Sequence, residues 1–294
     1  MNKISIIAPA SAAPLKSLNQ GLDWLNQNDL DFDLPKNLLK PKLFFASSVE
    51  TQVEHIQQAL KSEAEYLWCL RGGYGSARLI PFLEKMKKPK TKKTLMGFSD
   101  ITALHLFFNQ VWKWPTLHSR VLSQMDPQNP HEDDGQYKKL FSGALTSVDY
   151  KGLLPFNAAA KKKQVITSTL TGGNLRILET SIGTSWQLKA DNKILFMEDV
   201  GERGYCIHRM LTHLEQAGVL NKKVQAVILG TFTEGLEKDG TDRTQEALKA
   251  FAQESSIPFF TGLPCGHGPI NYLLPFGTKA QLSVGTKAKL RVEL

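Results

Sequence analysis

The sequence predicts an α/β protein in two parts. The N-terminal domain is built on a doubly wound, mostly parallel sheet, and the C-terminal domain is a smaller mixed α/β one rich in short strands. Three observations predict this. Short, continuously apolar runs alternate with amphipathic segments through the first half, the pattern of a parallel sheet covered on both faces. Two of those runs end in glycine-containing turns, Arg71-Gly72-Gly73-Tyr74-Gly75 and Gly97-Phe98-Ser99-Asp100. A polar stretch rich in Pro, Asn and Asp, from about Asp126 to Gln164, then precedes a half in which helices and short strands mix. The expected limits are 1–145 for the first domain, 146–165 for a linker and 166–294 for the second domain.

The elements follow in order. Ile4 to Ala8 is short, apolar and stopped by Pro9, so it reads as a first buried strand rather than a signal peptide. Leu15, Leu18, Leu22 and Leu25 recur at helical spacing. Val53, Ile56 and Leu60 do the same within Glu50 to Ser62. Tyr66 to Leu70 reads as a buried strand entering the Arg71 turn, and a helix is expected from Ser76 to Lys87. Leu95-Met96 form a strand that turns sharply at Gly97–Asp100 into a helix beginning at Ile101. Beyond the polar stretch, a helix runs to Ile182. A strand Lys193–Met197 closes on Glu198-Asp199-Val200-Gly201-Glu202. A helix Tyr205–Ala217 stops at Gly218, and a strand Val224–Leu229 stops at Gly230. A polar helix Thr241–Ser255, the loop Leu263-Pro264-Cys265-Gly266-His267-Gly268, and strands Gln281–Val284 and Ala288–Val292 complete the chain.

Composition narrows the function. With 41% hydrophobic and 22% charged residues, the 294-residue chain has ample material for two cores. The net charge of +8 comes largely from clumped lysines, in Lys85–Lys93 and Lys161–Lys163. Neither run is interleaved with aromatic residues, so they read as solvated loops, and no nucleic-acid partner is expected. No stretch approaches the length of a membrane span, and no membrane partner is expected. Three widely spaced cysteines, with no CxxC pair, indicate neither a disulfide framework nor a zinc site, which suits the cytoplasm. His208 and His213 are five apart, off the spacing that puts two ligands on one helix face. No metal or organic cofactor is therefore expected.

The chemistry gathers at strand ends. A serine on a strand-to-helix turn is presented beside free amide N–H groups, as a nucleophile needs, although Ile101 stands where the usual elbow has a second glycine. Two roles fit Ser99 on this evidence, nucleophile or helix cap. The Gly72–Gly75 turn matches neither a dinucleotide fingerprint nor a Walker loop. Its use is either backbone approach to a reacting oxygen or a simple tight turn. Among seven histidines, His267 is set apart by flanking glycines in a loop, where an imidazole can be aimed. Glu198, Asp199 and Glu202 are the candidate orienting acids, Glu198 standing directly at a strand end. Cys265 is a rival nucleophile without a helix N-terminus to lower its pKa.

These segments resemble the LD-carboxypeptidases, a serine peptidase family that includes murein tetrapeptide carboxypeptidases and the microcin C immunity proteins. The similarity runs through Ile7-Ala8-Pro9-Ala10-Ser11, Arg71 to Arg78, Gly97 to Ala103, Gly172-Gly173-Asn174-Leu175, Ile182-Gly183-Thr184, Glu198 to Glu202, Arg209-Met210-Leu211 and Gly262 to His267. The resemblance implies a triad of Ser99, Glu198 and His267. It also implies an oxyanion hole from the N–H groups of Gly73 and Asp100, and a homodimer. Substrate contacts are expected from Asn174 and from Arg71, whose guanidinium beside the glycine turn can grip a terminal carboxylate. Arg71 has a structural alternative, pairing with an acid such as Glu202. Two stretches depart from the family. Ser119-Arg120 stand where many relatives carry Gly-Pro, and Phe45-Ala46-Ser47-Ser48 lack the expected basic and glycine residues; either could alter substrate choice. The function expected is a cytoplasmic serine LD-carboxypeptidase that releases terminal D-alanine from a murein tetrapeptide, a muropeptide substrate. The alternatives are a microcin C-type amidase cleaving a peptidyl or aminoacyl nucleotide, and a non-catalytic peptide-binding module on the same fold.

Overall fold

A computed structural model describes residues 3–285 and 287–294. The chain divides into two compact units, Met1–Thr146 and Ser147–Leu294.

In the first unit the order is β1 (Ile4–Ile7), α1 (Leu15–Gln27), β2 (Phe32–Asp33), α2 (Val49–Lys61), β3 (Tyr66–Cys69), α3 (Ile80–Glu84), β4 (Thr94–Gly97), α4 (Thr102–Phe107), β5 (Thr116–His118) and α5 (Asp134–Phe141). Its strands pair in parallel in the order β5-β4-β3-β1-β2, the doubly wound arrangement expected. All of β1 and most of β3 and β4 are buried, which explains their unbroken apolar runs. Helix α2 starts where Ser48 accepts a hydrogen bond from Thr51 N–H at 3.3 Å, and it turns Val53, Ile56 and Leu60 inward. The single helix expected over 76–87 is instead a 3₁₀ turn, Ser76–Leu79, followed by the short α3. Pro81 accounts for the break, since it lacks the N–H that would continue the ladder back into the first turn.

The polar stretch after β5 is anchored rather than loose. Trp68 stacks on Tyr137 with ring centres 5.7 Å apart, and Trp24 meets both rings edge-on. Arg120 forms a buried, forked pair with Asp133, its Nε 2.8 Å from one carboxylate oxygen. Its backbone N–H donates to the Tyr137 hydroxyl at 2.6 Å. The departure at Ser119-Arg120 is therefore a structural one, because this guanidinium is spent inside the fold.

The second unit contains β6 (Ser147–Pro155), β7 (Gln164–Asn174), α6 (Leu175–Thr180), β8 (Lys193–Val200), α7 (Gly204–Gln216), β9 (Ala226–Thr233), α8 (Thr244–Glu254), β10 (Phe259–Thr261), β11 (Leu274–Phe276), β12 (Lys279–Val284) and β13 (Ala288–Glu293). Seven strands close a barrel in the order β10-β6-β13-β12-β7-β8-β9. From β7 to β10 the pairs are parallel and α6, α7 and α8 cross between them; the remaining pairs are antiparallel. The expected linker over 146–165 is corrected here. It carries β6, which pairs with β13 and β10 and buries Val148, Tyr150 and Leu153. The second unit is therefore about as long as the first. No helix among the described residues is long and apolar enough to cross a membrane.

Candidate active site

In the first unit the site is built on the turn from β4 into α4. Ser99 takes φ +63°, the left-handed region that costs a side-chain-bearing residue about 1–2 kcal/mol. Its hydroxyl does not cap the helix, and it opens a 3₁₀ turn, Ser99–Ile101, that leads into α4. Asp100 locks the turn to the glycine loop. Its carboxylate accepts Ser76 N–H at 2.8 Å, and its carbonyl accepts the Ser76 hydroxyl at 2.6 Å. Burial pushes the Asp100 carboxyl up, while the N–H groups of Ser76 and Gly75 and the Ser76 hydroxyl pull it back. Below the turn, buried His105 bonds the Gly97 carbonyl through Nε2 at 2.9 Å; burial lowers its pKa to about 4, so it sits there as a neutral structural group.

The Arg71–Gly75 turn lies against the serine. A Cβ on Gly72 would stand 3.1 Å from Ser99 Cβ and 3.4 Å from its Oγ. Gly73 has φ +96°, and a Cβ there would strike Ser11 Oγ at 2.5 Å. Ser11 Oγ in turn accepts Tyr74 N–H at 3.0 Å. Arg71 is exposed and donates to the Ala12 carbonyl at 2.5 Å. The suggested structural acid, Glu202, is instead gripped by both arms of Arg176, at 3.0 and 2.9 Å.

In the second unit, β8 delivers two adjacent acids. Side chains alternate along a strand, so Glu198 and Asp199 are sent to different partners. Glu198 is fully buried, and its Oε2 lies 2.6 Å from His267 Nδ1. Burial lowers the His267 pKa, but the hydrogen bond and charge of Glu198, with Asp199 and Glu234 behind them, outweigh it and leave a net rise. Asp199 accepts from Asn174 Nδ2, Val200 N–H and Arg176 N–H. Burial and the neighbouring Glu198 charge raise it to about 7 against the pull of those three donors.

The predicted residues thus fall into two groups. Ser99, Asp100, Gly73 and Arg71 share the turns at the ends of β3 and β4, while Glu198 and His267 form a bonded pair. Asn174 is corrected: it is 5% exposed, caps α6 by accepting Ile177 N–H at 3.2 Å, and donates to Asp199, so it belongs to the scaffold. Cys265 is fully buried and donates to the Tyr272 carbonyl, which removes it as a nucleophile. No group of three ligating side chains that could hold a metal occurs among the described residues. Sequence reasoning missed Asn271 and Thr231, which bond the loop that carries His267. Gly230-Thr231, at the end of an apolar strand, was the available signal for Thr231.

The LD-carboxypeptidase N-terminal domain model matches residues 4–119, and the C-terminal domain model matches 167–282. A Rickettsia conorii protein with a provisional carboxypeptidase name is 41% identical over 98% of this chain and 90% of its own length. The murein tetrapeptide carboxypeptidase of Pseudomonas aeruginosa is 31% identical over 95% of this chain and 92% of its own. The crystal structure of muramoyltetrapeptide carboxypeptidase from Oxalobacter formigenes superposes with a TM-score of 0.85 at 26% identity, covering 100% of this chain and 99% of that one.

Proposed function

This chain belongs to the LD-carboxypeptidase family, and from that premise we propose that it is a serine LD-carboxypeptidase releasing terminal D-alanine from murein tetrapeptide. The observation that carries the reading is the 2.6 Å bond between buried Glu198 and His267 Nδ1. A buried carboxylate on Nδ1 fixes the tautomer, so Nε2 is the nitrogen that exchanges the proton.

In the proposed reaction Ser99 Oγ attacks the carbonyl carbon of the diamino acid, on the L-configured side of the scissile bond. Its proton passes to His267 Nε2. The N–H groups of Gly73 and Asp100 bind the oxyanion, a role supported by the Arg71–Gly75 turn packed on Ser99 and by Asp100 lying in the first turn of the 3₁₀ helix that Ser99 opens. Collapse breaks the C–N bond, and the D-alanine amine leaves with the proton from His267. Water then attacks the Ser99 ester, with His267 taking its proton, and the shortened peptide departs. Glu198 stabilises the imidazolium in both halves. Arg71 is proposed to grip the terminal carboxylate, since its Nη1 bond to Ala12 leaves other guanidinium donors for a forked contact. The three cysteines are unpaired and buried, which suits the proposed cytoplasmic setting, where the enzyme would work as a homodimer.

The test compares the murein tetrapeptide with an aminoacyl sulfamoyl adenosine. Release of D-alanine, with slower cleavage of the nucleotide, is expected. Preferred cleavage of the nucleotide would assign the microcin C branch, and binding without turnover of either would assign a peptide-binding module.

A further inference from the structure

The register between β8 and β9 breaks at the catalytic acid. Met197 stands opposite Leu229, and pairing resumes with Asp199 opposite Phe232. Two residues, Gly230 and Thr231, therefore face Glu198 alone. A bulge at a strand end re-aims the side chains around it.

Thr231 spends both its backbone and its side chain on the loop that carries His267. Its N–H donates to the Cys265 carbonyl at 2.9 Å, and its hydroxyl donates to the same carbonyl at 3.2 Å. The hydroxyl oxygen accepts Gly268 N–H at 3.1 Å. These bonds bracket His267, two residues before it and one after. Asn271 Oδ1 holds Gly266 N–H at 2.8 Å from the other side. The clearance is small. A Cβ on Gly266, at φ +120°, would lie 2.6 Å from Thr231 Oγ1 and 2.8 Å from Glu198 Oε2. The Gly266 backbone therefore packs closely against both Thr231 and the carboxylate that His267 meets.

Glycine on both sides of His267 leaves this loop with wide backbone freedom, and no strand ladder spans it. Its order has to come from side chains. A β-branched threonine has few χ1 choices, so its hydroxyl direction follows from the bulge itself. We propose that Thr231 is the positioning residue that keeps the His267 imidazole on Glu198. The proposal rests on His267 serving as the base, as proposed above.

The experiment uses Thr231→Val, close in shape but without the hydroxyl, and Thr231→Ser, which restores it. Turnover of tetrapeptide is measured across pH, and the His267 imidazole is titrated by NMR in the same proteins. Thr231→Val is expected to lower kcat about tenfold, the loss of one to two hydrogen bonds, with KM unchanged. The acids that raise His267 are Glu198, Asp199 and Glu234, and burial opposes them. A looser hold on Glu198 should therefore move the titration midpoint toward acid, and Thr231→Ser should recover most of both effects. Wild-type kcat and titration in Thr231→Val would overturn the proposal. So would a lower Tm with the His267 titration unmoved. The NMR arm needs no turnover. If the wild type released no D-alanine, the functional reading would fall, while the titrations would still decide the role of Thr231.

Discussion

In the first unit Ser99 is placed by its backbone, whereas in the second His267 is placed by the side chains of its neighbours. Ser99 holds a left-handed conformation between a parallel strand and a helical turn, and Asp100 and Ser76 clamp that turn from behind. His267 sits in a glycine-flanked loop, held by Thr231, Asn271 and its bond to Glu198. The difference teaches where each half is vulnerable. The proposed nucleophile sits on a strained backbone whose turn is fixed by the Asp100 carboxylate and the Ser76 hydroxyl. For the proposed base, removing a polar neighbour is expected to shift its orientation or its pKa.

The largest effect expected is from Ser99→Ala, which should lower kcat about 10³-fold or more while the protein stays folded. Ser99→Gly should be as inactive, yet more stable than Ser99→Ala by about 1 kcal/mol, because glycine relieves the positive φ. Equal melting temperatures for the two variants would show that the backbone carries no strain there.

Gly266→Ala probes the other half. Its Cβ would meet Thr231 Oγ1 and Glu198 on a backbone that disfavours any side chain, so a loss of about 2–3 kcal/mol is expected, with activity falling further than stability. Chemical denaturation and turnover at a temperature where the variant is folded check this together.

Glu198→Gln should cost about 10²-fold in kcat, less than Ser99→Ala, because the acid orients rather than reacts. The pH profile gives the sharper reading. With neutral imidazole as the proposed base, activity should rise with pH through the His267 pKa, which burial lowers but the hydrogen bond and charge of Glu198 raise on balance. Removing the Glu198 charge leaves burial as the leading influence, and the midpoint should move toward acid. A profile that keeps its midpoint in Glu198→Gln would break the assignment of this pair.

Much of this was legible in the sequence. The elbow, the acid at the end of β8 and the glycine-flanked histidine are local patterns, each set by the few residues around it. The parallel sheet followed from unbroken apolar runs. What stayed hidden depends on distant pairing. Val148, Tyr150 and Leu153 point inward from β6, but polar neighbours and a Pro-rich approach disguised the strand, and its partners lie more than 100 residues away. Asn174 was expected as a substrate contact, and only the fold shows it capping α6. Thr231 had no signal beyond its position, since a bulge is a relation between two strands.

Arg71→Lys is expected to have the narrowest effect, confined to one class of substrate. A lysine ammonium cannot copy a forked grip, so the loss should be roughly 1.5–3 kcal/mol on a substrate with a free terminal carboxylate and little on its amide. Equal losses on both would assign Arg71 to the scaffold through its bond to Ala12.

The central claim, that Ser99 is a nucleophile activated by His267, is tested most directly by fluorophosphonate labelling followed by mass spectrometry of the modified peptide. In the wild type the label should appear on Ser99, at a rate that rises with pH alongside neutral His267. It should be absent in Ser99→Ala and slowed strongly in His267→Ala. Label on another residue, or labelling of Ser99 at the same rate without His267, would contradict the account.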